Sequence, residues 1–463
     1  MSDSGHVRHA PGTTVWHRGK PVDDRGDTVC VVGAGASGLL AIKNLVEHGF
    51  AVDCYERETG VGGAWNWRHD RSPVTVGTHL VTSREVTQIP DFPMPDSWPD
   101  YPDHRQMLSY LERYADHFGL RRHVWFGTEV VRVEPADDDR WDVTIRSTGG
   151  GAERTHRYAG VVVATGHLWS PLTPSYEGQD RFAGEVVHAS TVKDPTMLRD
   201  RRVLVIGGGN TGCDLAVEAS RRAAACWHST RRGYWYLPKY LLGRPVHQVA
   251  ALAEALRLPG RLQQWLGHRL LRWSVGDLSR FGLPAPDHKL FQTLPVVNHE
   301  LLHAIGHGRL TPVPDVARFH PDSVELVDGG SIEPDLVIFA TGYLPRFEFL
   351  APDLVGTEDG RPHLLLHAFS RRSPTLAVVG LLEPDAGLLP LVHWQTVAVA
   401  RWWRRRQRDP GAAAAAWDRV KDAPDRRLTR TRTKDTSRHW FAVSQPVYLT
   451  ALERTLRQLE VTR

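Results

Sequence analysis

The sequence predicts an α/β fold, and three features of the chain support that prediction. The stretch "DTVCVVGAGASGLLAIKNL" (27–45) runs from an apolar strand through a glycine-rich turn into a helix, and "RRVLVIGGGNTGCDLAVEAS" (201–220) repeats the pattern. An apolar run ending in Ala-Thr-Gly also occurs twice, at 161–166 and at 336–342. Together these features predict two Rossmann-like dinucleotide-binding domains, with the second inserted into the first.

The chain of 463 residues is long enough for two or three domains. We expect residues 28–199 and 312–463 to form the first, discontinuous domain, and residues 200–311 to form the second, with a helical insertion near 248–275. Residues 1–27 are polar and contain no apolar run, so we interpret them as a flexible N-terminal extension rather than a signal peptide or an anchor.

Composition and charge restrict the partners. Basic residues number 57 against 53 acidic ones, but the arginines are scattered and form no stripe interleaved with aromatics, so nucleic acid is not expected as a partner. No run of eighteen apolar residues occurs, so we expect no transmembrane segment. The four cysteines lack C-x-x-C spacing, which favours buried thiols and a cytoplasmic location.

The first glycine turn is expected to hold a dinucleotide whose ribose hydroxyls are free. Gly33, Gly35 and Gly38 allow the tight turn, the approach of a pyrophosphate and the packing of helix on strand. Ser37 lies at the start of the helix, where unpaired N–H groups face the phosphates. The next strand, "AVDCYE", ends in Glu56, whose carboxylate can accept hydrogen bonds from a ribose diol.

The second turn carries a different acceptor. Its glycines are Gly207, Gly209 and Gly212, and the helix begins near Asn210 and Thr211. The next strand ends without an acid, in the residues Ser229, Thr230, Arg231 and Arg232. Guanidinium and hydroxyl groups bind a 2′-phosphate that a carboxylate would repel, although a solvated basic turn is the alternative. We therefore predict FAD in the first site, NADPH in the second, and an oxidoreductase.

Two other segments allow more than one interpretation. The run "RLQQWLGHRLLRW" (261–273) places Leu and Trp at helical spacing, which indicates either a helix packed on its own protein or a lid or membrane-touching helix. His303 and His307 lie four residues apart, but no acid accompanies them, so no metal site is expected.

These motifs together resemble the flavin-containing monooxygenases, within the class B flavoprotein monooxygenases. The resemblance runs from about residue 28 to 452, and "STRRGYW" and "PVVNHELL" are its most specific stretches. The others are "GAGASG", "GVGGAW", "DFPMP", "GGGNTG", "FATGY" and "LVHWQ". "FAGEVVHASTV" is similar to the family's F-x-G-x-x-x-H motif through Phe182, Gly184 and His188. The resemblance favours the branch that oxygenates heteroatoms.

The resemblance implies further contacts with FAD, from Gly63 and Trp65 in "GVGGAW", from Val130 and from Gln395 in "LVHWQ". It also implies that hydride from NADPH reduces the flavin, that O₂ then forms a C4a-hydroperoxyflavin, and that an amine or sulfide attacks its distal oxygen. No side-chain nucleophile is needed. A small amine or sulfide is the expected substrate, O₂ the co-substrate and a homodimer a possible assembly, and the arginine-rich composition suggests bacterial specialised metabolism.

Two positions depart from the family. Val192 stands where relatives carry an aromatic residue after the F-x-G-x-x-x-H motif. Val81 stands where they usually carry an active-site Asn, and valine offers no donor. Either His79 or Thr82 substitutes near the flavin, or the oxygenating intermediate is shorter-lived, or the segment has diverged around a different substrate. Two alternatives therefore stay open: a Baeyer–Villiger monooxygenase acting on a ketone, and an NADPH oxidase or redox sensor with little oxygenation.

Overall fold

The computed structural model of this protein describes residues 14–17, 20–75, 77–249, 260–356, 360–424, 426–434 and 439–460. Two separate parallel sheets run through these residues, each flanked by helices. The predicted α/β fold with two strand–turn–helix units is confirmed.

The first unit is built on a seven-stranded sheet. Its strand order is β24-β25-β26-β9-β3-β4-β5, and the last five of these strands run parallel. The strands are β3 (Val29–Val32), β4 (Val52–Tyr55), β5 (Val124–Trp125), β9 (Gly160–Val163), β24 (Leu364–Leu365), β25 (Phe369–Ser370) and β26 (Leu376–Val378). Helices α1 (Ala36–Glu47), α3 (His104–His117) and α8 (Leu388–Arg408) bury their apolar sides in its core. Cys30 and Cys54 are buried in this sheet, as predicted.

A mixed five-stranded sheet of the first unit shows that the N-terminal segment is not the flexible extension we expected. Its order is β1-β2-β8-β7-β6, from strands β1 (Thr14–His17), β2 (Lys20–Asp24), β6 (Thr128–Pro135), β7 (Trp141–Ser147) and β8 (Arg154–Tyr158). β2 pairs parallel with β8, Val22 is buried, and Asp24 forms an ion pair with Arg140. The prediction was wrong for residues 14–17 and 20–27, because the backbone pairs with a sheet edge; residues 1–13 lie outside the described part.

The second unit is built on a five-stranded parallel sheet with the order β11-β22-β12-β13-β18. These strands are β11 (Glu185–His188), β12 (Arg202–Ile206), β13 (Ala225–Ser229), β18 (Thr311–Val313) and β22 (Leu336–Phe339). Helices α4 (Asn210–Ser220) and α6 (Glu300–Gly306) pack on it.

The limits of this sheet correct our expectation for the second Ala-Thr-Gly run. We expected the chain to rejoin the first domain near residue 312, but β22 lies between β11 and β12 in the parallel sheet of the second unit. The predicted boundaries at 199 and 311 therefore leave two of the second unit's strands, β11 and β22, in the first domain. A fully buried parallel strand is apolar throughout, so its sequence pattern cannot reveal which of two parallel sheets receives it.

Short strands complete the described part. They are β10 (Ser170–Pro171) with β23 (Tyr343–Leu344), β14 (Tyr236–Leu237) with β17 (Val296–Val297), β15 (Tyr240–Leu241) with β16 (Arg244–Pro245), β19 (Val316–Phe319) with β20 (Val324–Leu326) and β21 (Ser331–Ile332), and β27 (Glu383–Pro384) with β28 (Ala442–Val443). The remaining helices are α2 (Arg84–Thr87), α5 (Gly260–Val275), α7 (Pro352–Val355), α9 (Pro410–Val420) and α10 (Gln445–Glu460).

The two units meet along a seam between residues 85–103 and 239–248. The Tyr101 hydroxyl donates to the Lys239 carbonyl oxygen at 2.5 Å, and the Tyr240 hydroxyl contacts Asp100 at 2.9 Å. The inserted helix expected near 248–275 is α5, and residues 250–259 of that segment lie outside the described part. Among the described helices, none combines the length and the apolarity needed to cross a membrane.

Candidate active site

The first glycine turn is packed too closely at Gly38 and at neighbouring Gly63 for a side chain there. A Cβ on Gly38 would lie 1.8 Å from the Gly33 carbonyl oxygen, and one on Gly63 would lie 2.7 Å from the Gly35 Cα. Gly33 has φ +99° and faces the Ala164 carbonyl oxygen. Helix α1 begins after Gly35 with no side-chain cap, so its first N–H groups are free to bind a phosphate.

Glu56 lies beside this turn, at the end of β4. Its Oε2 accepts from the Ala34 N–H at 2.7 Å, and its Oε1 accepts from the Glu58 N–H at 2.9 Å. Burial of the carboxylate raises its pKa from the ordinary value, against the opposing effect of the two hydrogen bonds. The two donors fix the carboxylate and leave acceptor lone pairs for the hydroxyls of a ribose.

Two buried polar atoms beside the first turn have no hydrogen-bond partner in the described residues. They are Thr165 Oγ1 and Trp169 Nε1, both on the segment that follows β9. A Cβ on Gly33 would lie 3.5 Å from the Thr165 Cα, and the Arg57 guanidinium lies 5.5 Å from the Trp169 ring centroid. Buried polar atoms without a partner, beside a closely packed glycine turn, are typical of a site that binds a dinucleotide. The first site therefore fits FAD.

Gln395 and Ser37 are brought together through Gly380. A Cβ on Gly380 would lie 2.2 Å from Ser37 Oγ, and the Gly380 N–H donates to Gln395 Oε1 at 2.9 Å. Gln395 is fully buried on α8 and donates through Nε2 to the Tyr448 hydroxyl. Gln395 therefore holds the backbone at Gly380 against the start of α1. Val130 is buried in the core beneath the first sheet, and Trp65 packs partly buried against the core around α1.

The segment expected near the flavin has few protons to donate. The Thr87 hydroxyl donates to the Ser83 carbonyl oxygen at 2.8 Å. Because the Thr87 proton is used there, the Thr82 hydroxyl donates to Thr87 Oγ1, at 2.6 Å. Exposed His79 donates through Nδ1 to the Gly77 carbonyl oxygen at 2.8 Å, so this ring nitrogen already has a partner. Val81, between them, offers no polar side-chain atom. The side chains of residues 79–82 that the structure describes thus provide no direct counterpart of an asparagine amide.

The second turn repeats the geometry of the first. A Cβ on Gly212 would lie 1.9 Å from the Gly207 carbonyl oxygen, and Gly207 has φ +131°. Gly209 has no neighbour within 4 Å of such a Cβ and precedes α4 with no side-chain cap, so open space lies above the helix N-terminus. Asn210 Oδ1 accepts from the Val297 N–H at 3.0 Å, and the Thr211 side chain is exposed. This site fits a second dinucleotide.

The residues after β13 divide into buried and exposed ones. Ser229 is buried and its hydroxyl donates to the Pro314 carbonyl oxygen at 2.8 Å, and Thr230 is also buried. Arg231 is exposed, and no carboxylate pairs with it in the described part of the chain. Arg232 lies 5.5 Å from the Tyr234 ring centroid. Among the four predicted phosphate contacts, Arg231 is the exposed cation, Arg232 is half-buried against Tyr234, and the Ser229 hydroxyl already donates to Pro314.

His228 supports the second turn, and the sequence analysis missed it. Its Nε2 donates to the Gly207 carbonyl oxygen at 2.9 Å, and the side chain is fully buried. Burial lowers its pKa, so the ring is held neutral. An isolated histidine inside a predicted strand carries no sequence signal for such a contact.

The predicted F-x-G-x-x-x-H residues lie where the chain crosses between the units. His188 ends β11, its Nε2 donates to the Gly342 carbonyl oxygen at 3.2 Å, and its Nδ1 accepts from the Ser190 N–H. A Cβ on Gly184 would lie 2.5 Å from the Phe182 ring. Val192 is fully buried in the core of the second unit. The contact of His188 with Gly342 therefore joins the two segments in which the chain passes between the units.

Asp214 is a second residue that the sequence analysis missed. It lies on α4 and accepts from Asn298 Nδ2 at 2.7 Å, while Asn298 Oδ1 accepts from the Leu301 N–H. Burial raises the pKa of Asp214 to about 6. "PVVNHELL", one of the most specific stretches of the resemblance, thus ties α6 to α4 beneath the second turn.

The predicted histidine pair on α6 stands alone. His303 Nε2 and His307 Nε2 lie 3.2 Å apart at the surface. In the part of the chain that the structure describes, no three metal-binding side chains cluster.

Comparisons with known proteins agree with this geometry. The family described as flavin-binding monooxygenase-like matches residues 26–441. Dimethylaniline monooxygenase (N-oxide-forming) 2 of Rattus norvegicus is 33% identical over 396 residues, covering 81% of this chain and 72% of that protein. Flavin-containing monooxygenase 1 of Homo sapiens is 33% identical over 392 residues, with the same coverages.

Solved structures show the same architecture. The flavin-containing monooxygenase from Stenotrophomonas maltophilia superposes with a TM-score of 0.60 at 25% identity, over 81% of this chain and 98% of that one. S-allyl-L-cysteine S-oxygenase from Allium sativum superposes with a TM-score of 0.63 at 20% identity, over 94% and 89%, which shows the fold alone. Members of the family are enzymes that use FAD and NADPH, as the two sites predicted. The chain belongs to the flavin-binding monooxygenase-like family.

Proposed function

We propose that this enzyme uses NADPH and O₂ to oxygenate the nucleophilic nitrogen or sulfur of a small organic substrate. The observation that carries the proposal is the contrast between the two turns, one flanked by buried Glu56 and the other by exposed, unpaired Arg231. This contrast assigns a cofactor with a free ribose diol to the first unit and a 2′-phosphorylated one to the second.

The chain's own residues bind and orient the cofactors. Glu56 accepts from the ribose hydroxyls of FAD, and the free N–H groups at the start of α1 bind its pyrophosphate. Arg231 binds the 2′-phosphate of NADPH, and the start of α4 binds its pyrophosphate. When bound, the two cofactors supply the hydride and the activation of O₂.

Residues 79–82 offer few protons to a substrate on this side of the proposed flavin site. Thr82 donates to Thr87, His79 donates through Nδ1 to Gly77, and Val81 has no polar side-chain atom. An unprotonated amine or a sulfide keeps its nucleophilicity in such an environment. The names of the relatives above include an N-oxide-forming enzyme and an S-oxygenase, so both heteroatoms are the first to test.

The test is to supply the purified enzyme with NADPH, air and one of two probes, N,N-dimethylaniline or methyl phenyl sulfide. We expect NADPH consumption to speed up with at least one probe, and the N-oxide or sulfoxide to form in proportion. NADH should serve poorly. A rate of NADPH consumption that no amine or sulfide changes, with all of it recovered as hydrogen peroxide, would contradict the proposal.

A second candidate is an NADPH oxidase, and Val81 is the observation that favours it. Without an amide donor beside the flavin, reduced enzyme and O₂ can return to the oxidised state with release of peroxide. The ratio of product to NADPH in the same experiment separates the two functions. A homodimer and a role in bacterial specialised metabolism also belong to this proposal, and size measurement in solution tests the first.

A further inference from the structure

Helix α5 presents large apolar side chains to solvent. The exposed fractions of Leu262, Trp265, Leu266 and Trp273 are 40, 53, 42 and 77%. Their spacing of three, four and eleven residues from Leu262 puts all four on one side of the helix. Two exposed tryptophans on one stripe are costly in water and indicate a surface that becomes covered.

This stripe is separate from the side by which α5 is attached to the protein. Leu271 is buried, the His268 ring packs edge-on against Trp235 at 5.1 Å between centroids, and a Cβ on Gly267 would lie 3.7 Å from Leu290. These residues occupy the opposite side of the helix wheel. The interpretation that α5 packs on its own protein therefore accounts for this side only.

The charge of the segment is uniformly positive. Residues 255–276 contain four arginines and no aspartate or glutamate. The Arg269 guanidinium lies 5.2 Å from the Trp265 ring centroid, on the exposed stripe, and Arg272 is exposed at its flank. Arginine beside tryptophan and leucine is the composition of a helix that lies in the interface of a membrane.

We propose that α5 docks on the surface of an anionic lipid bilayer. The leucines and indole rings would enter the boundary of the acyl chains, while Arg269 and Arg272 would contact lipid phosphates. A second copy of the chain fits less well, because a two-fold contact through this stripe brings each Arg269 towards its symmetry mate.

The experiment is flotation of the purified, flavin-loaded enzyme with vesicles of phosphatidylcholine alone or mixed with phosphatidylglycerol. We expect binding to the anionic vesicles, weaker binding to the neutral ones, and release at about 0.5 M salt. Binding should blue-shift the tryptophan emission, since indole rings leave water.

Two variants identify the surface, and one controls for it. The double variant Trp265→Ser with Trp273→Ser removes the anchors, and Arg269→Gln with Arg272→Gln removes the charges. Each should weaken binding to anionic vesicles by about tenfold or more. Trp394→Ser removes another exposed tryptophan, on α8, and should not change vesicle binding. All three should oxidise NADPH in solution at the native rate, which shows that they are folded.

Four results would overturn the proposal. One is failure of the native enzyme to float with anionic vesicles. Another is equal loss of binding in the Trp394→Ser control. The third is a dimer in solution that the tryptophan double variant dissociates while no vesicle binds, which would assign the stripe to a second copy. Capture of an acidic protein without vesicle binding would likewise refute a lipid partner.

Discussion

At the scale of single residues, we expect Arg231 to decide which nicotinamide the enzyme uses. We expect Arg231→Ala to raise the KM for NADPH by about 10- to 100-fold, because a charge-assisted contact with phosphate contributes about 1.5–3 kcal/mol. The KM for NADH should stay the same, since NADH lacks the 2′-phosphate. Steady-state kinetics with both cofactors measure this. Arg309→Ala, an exposed arginine of the same unit, is the control; equal changes for NADPH and NADH would contradict the assignment.

We expect Val81 to influence how tightly NADPH consumption is coupled to oxygenation. Introducing an amide by Val81→Asn should raise the ratio of product to NADPH and lower peroxide release, because the asparagine supplies a donor that Thr82 and His79 do not. Val81→Ala changes the size of the side chain without adding a donor and should not improve coupling. Product and peroxide measured in one reaction give the ratio. An unchanged ratio in Val81→Asn would show that the missing donor has no consequence.

At the scale of elements, the turn at the start of α4 contains one glycine that packing requires, Gly212, and one that we expect to face the cofactor, Gly209. Gly212→Ala would push α4 away from the Gly207 carbonyl oxygen and should cost about 1–3 kcal/mol of stability. Gly209 has φ −82° and open space around a new Cβ, so Gly209→Ala should fold normally. The added methyl would occupy the space for the pyrophosphate, so the KM for NADPH should rise. Denaturant unfolding and kinetics test the pair; a destabilised Gly209→Ala would contradict this division.

Asp214 makes the stability of the α4–α6 contact depend on pH. Its folded-state pKa of about 6 is above the ordinary value of 3.8, so ionisation in the native state costs stability, and this cost appears as pH rises from about 4 to about 6. Asp214→Asn keeps an acceptor for Asn298 and removes the cost. We expect the variant to be more stable by about 2 kcal/mol at about pH 8 and equal to the native protein near pH 4.

Urea unfolding at both pH values measures the difference. Asp180→Asn, at an exposed site on the surface, is the matched control and should show no such dependence. A gap that does not close at low pH would mean that burial of the Asp214 charge is not its cause.

The elements also show what the sequence could predict. Both glycine turns, with Glu56 and Arg231 after the following strands, were predictable because local spacing alone specifies them. The contacts of His228 and Gln395 were not, because each depends on a residue far away in the chain. The pairing of β2 with β8 was missed for the same reason, since a short polar strand at a sheet edge has no periodic apolar pattern.

At the scale of the whole molecule, the two units are built on separate sheets and contact each other at several places. His188 contacts Gly342 where the chain crosses between them, and Tyr101 contacts Lys239 across the seam. The sequence predicted the insertion but placed β11 and β22 in the wrong unit, because both parallel sheets demand the same buried apolar strands. The arrangement brings a FAD site and an NADPH site into one chain, and the central claim is our proposal that the two sites together oxygenate a nitrogen or a sulfur with O₂.

That claim is tested most directly by a single turnover in isotope-labelled dioxygen. Enzyme with bound FAD is reduced by one equivalent of NADPH without air, then mixed with labelled O₂ and a sulfide or tertiary amine, and the product is analysed by mass spectrometry. The account predicts that one labelled oxygen atom enters each product molecule. Unlabelled product, or labelled peroxide in place of product, would contradict it.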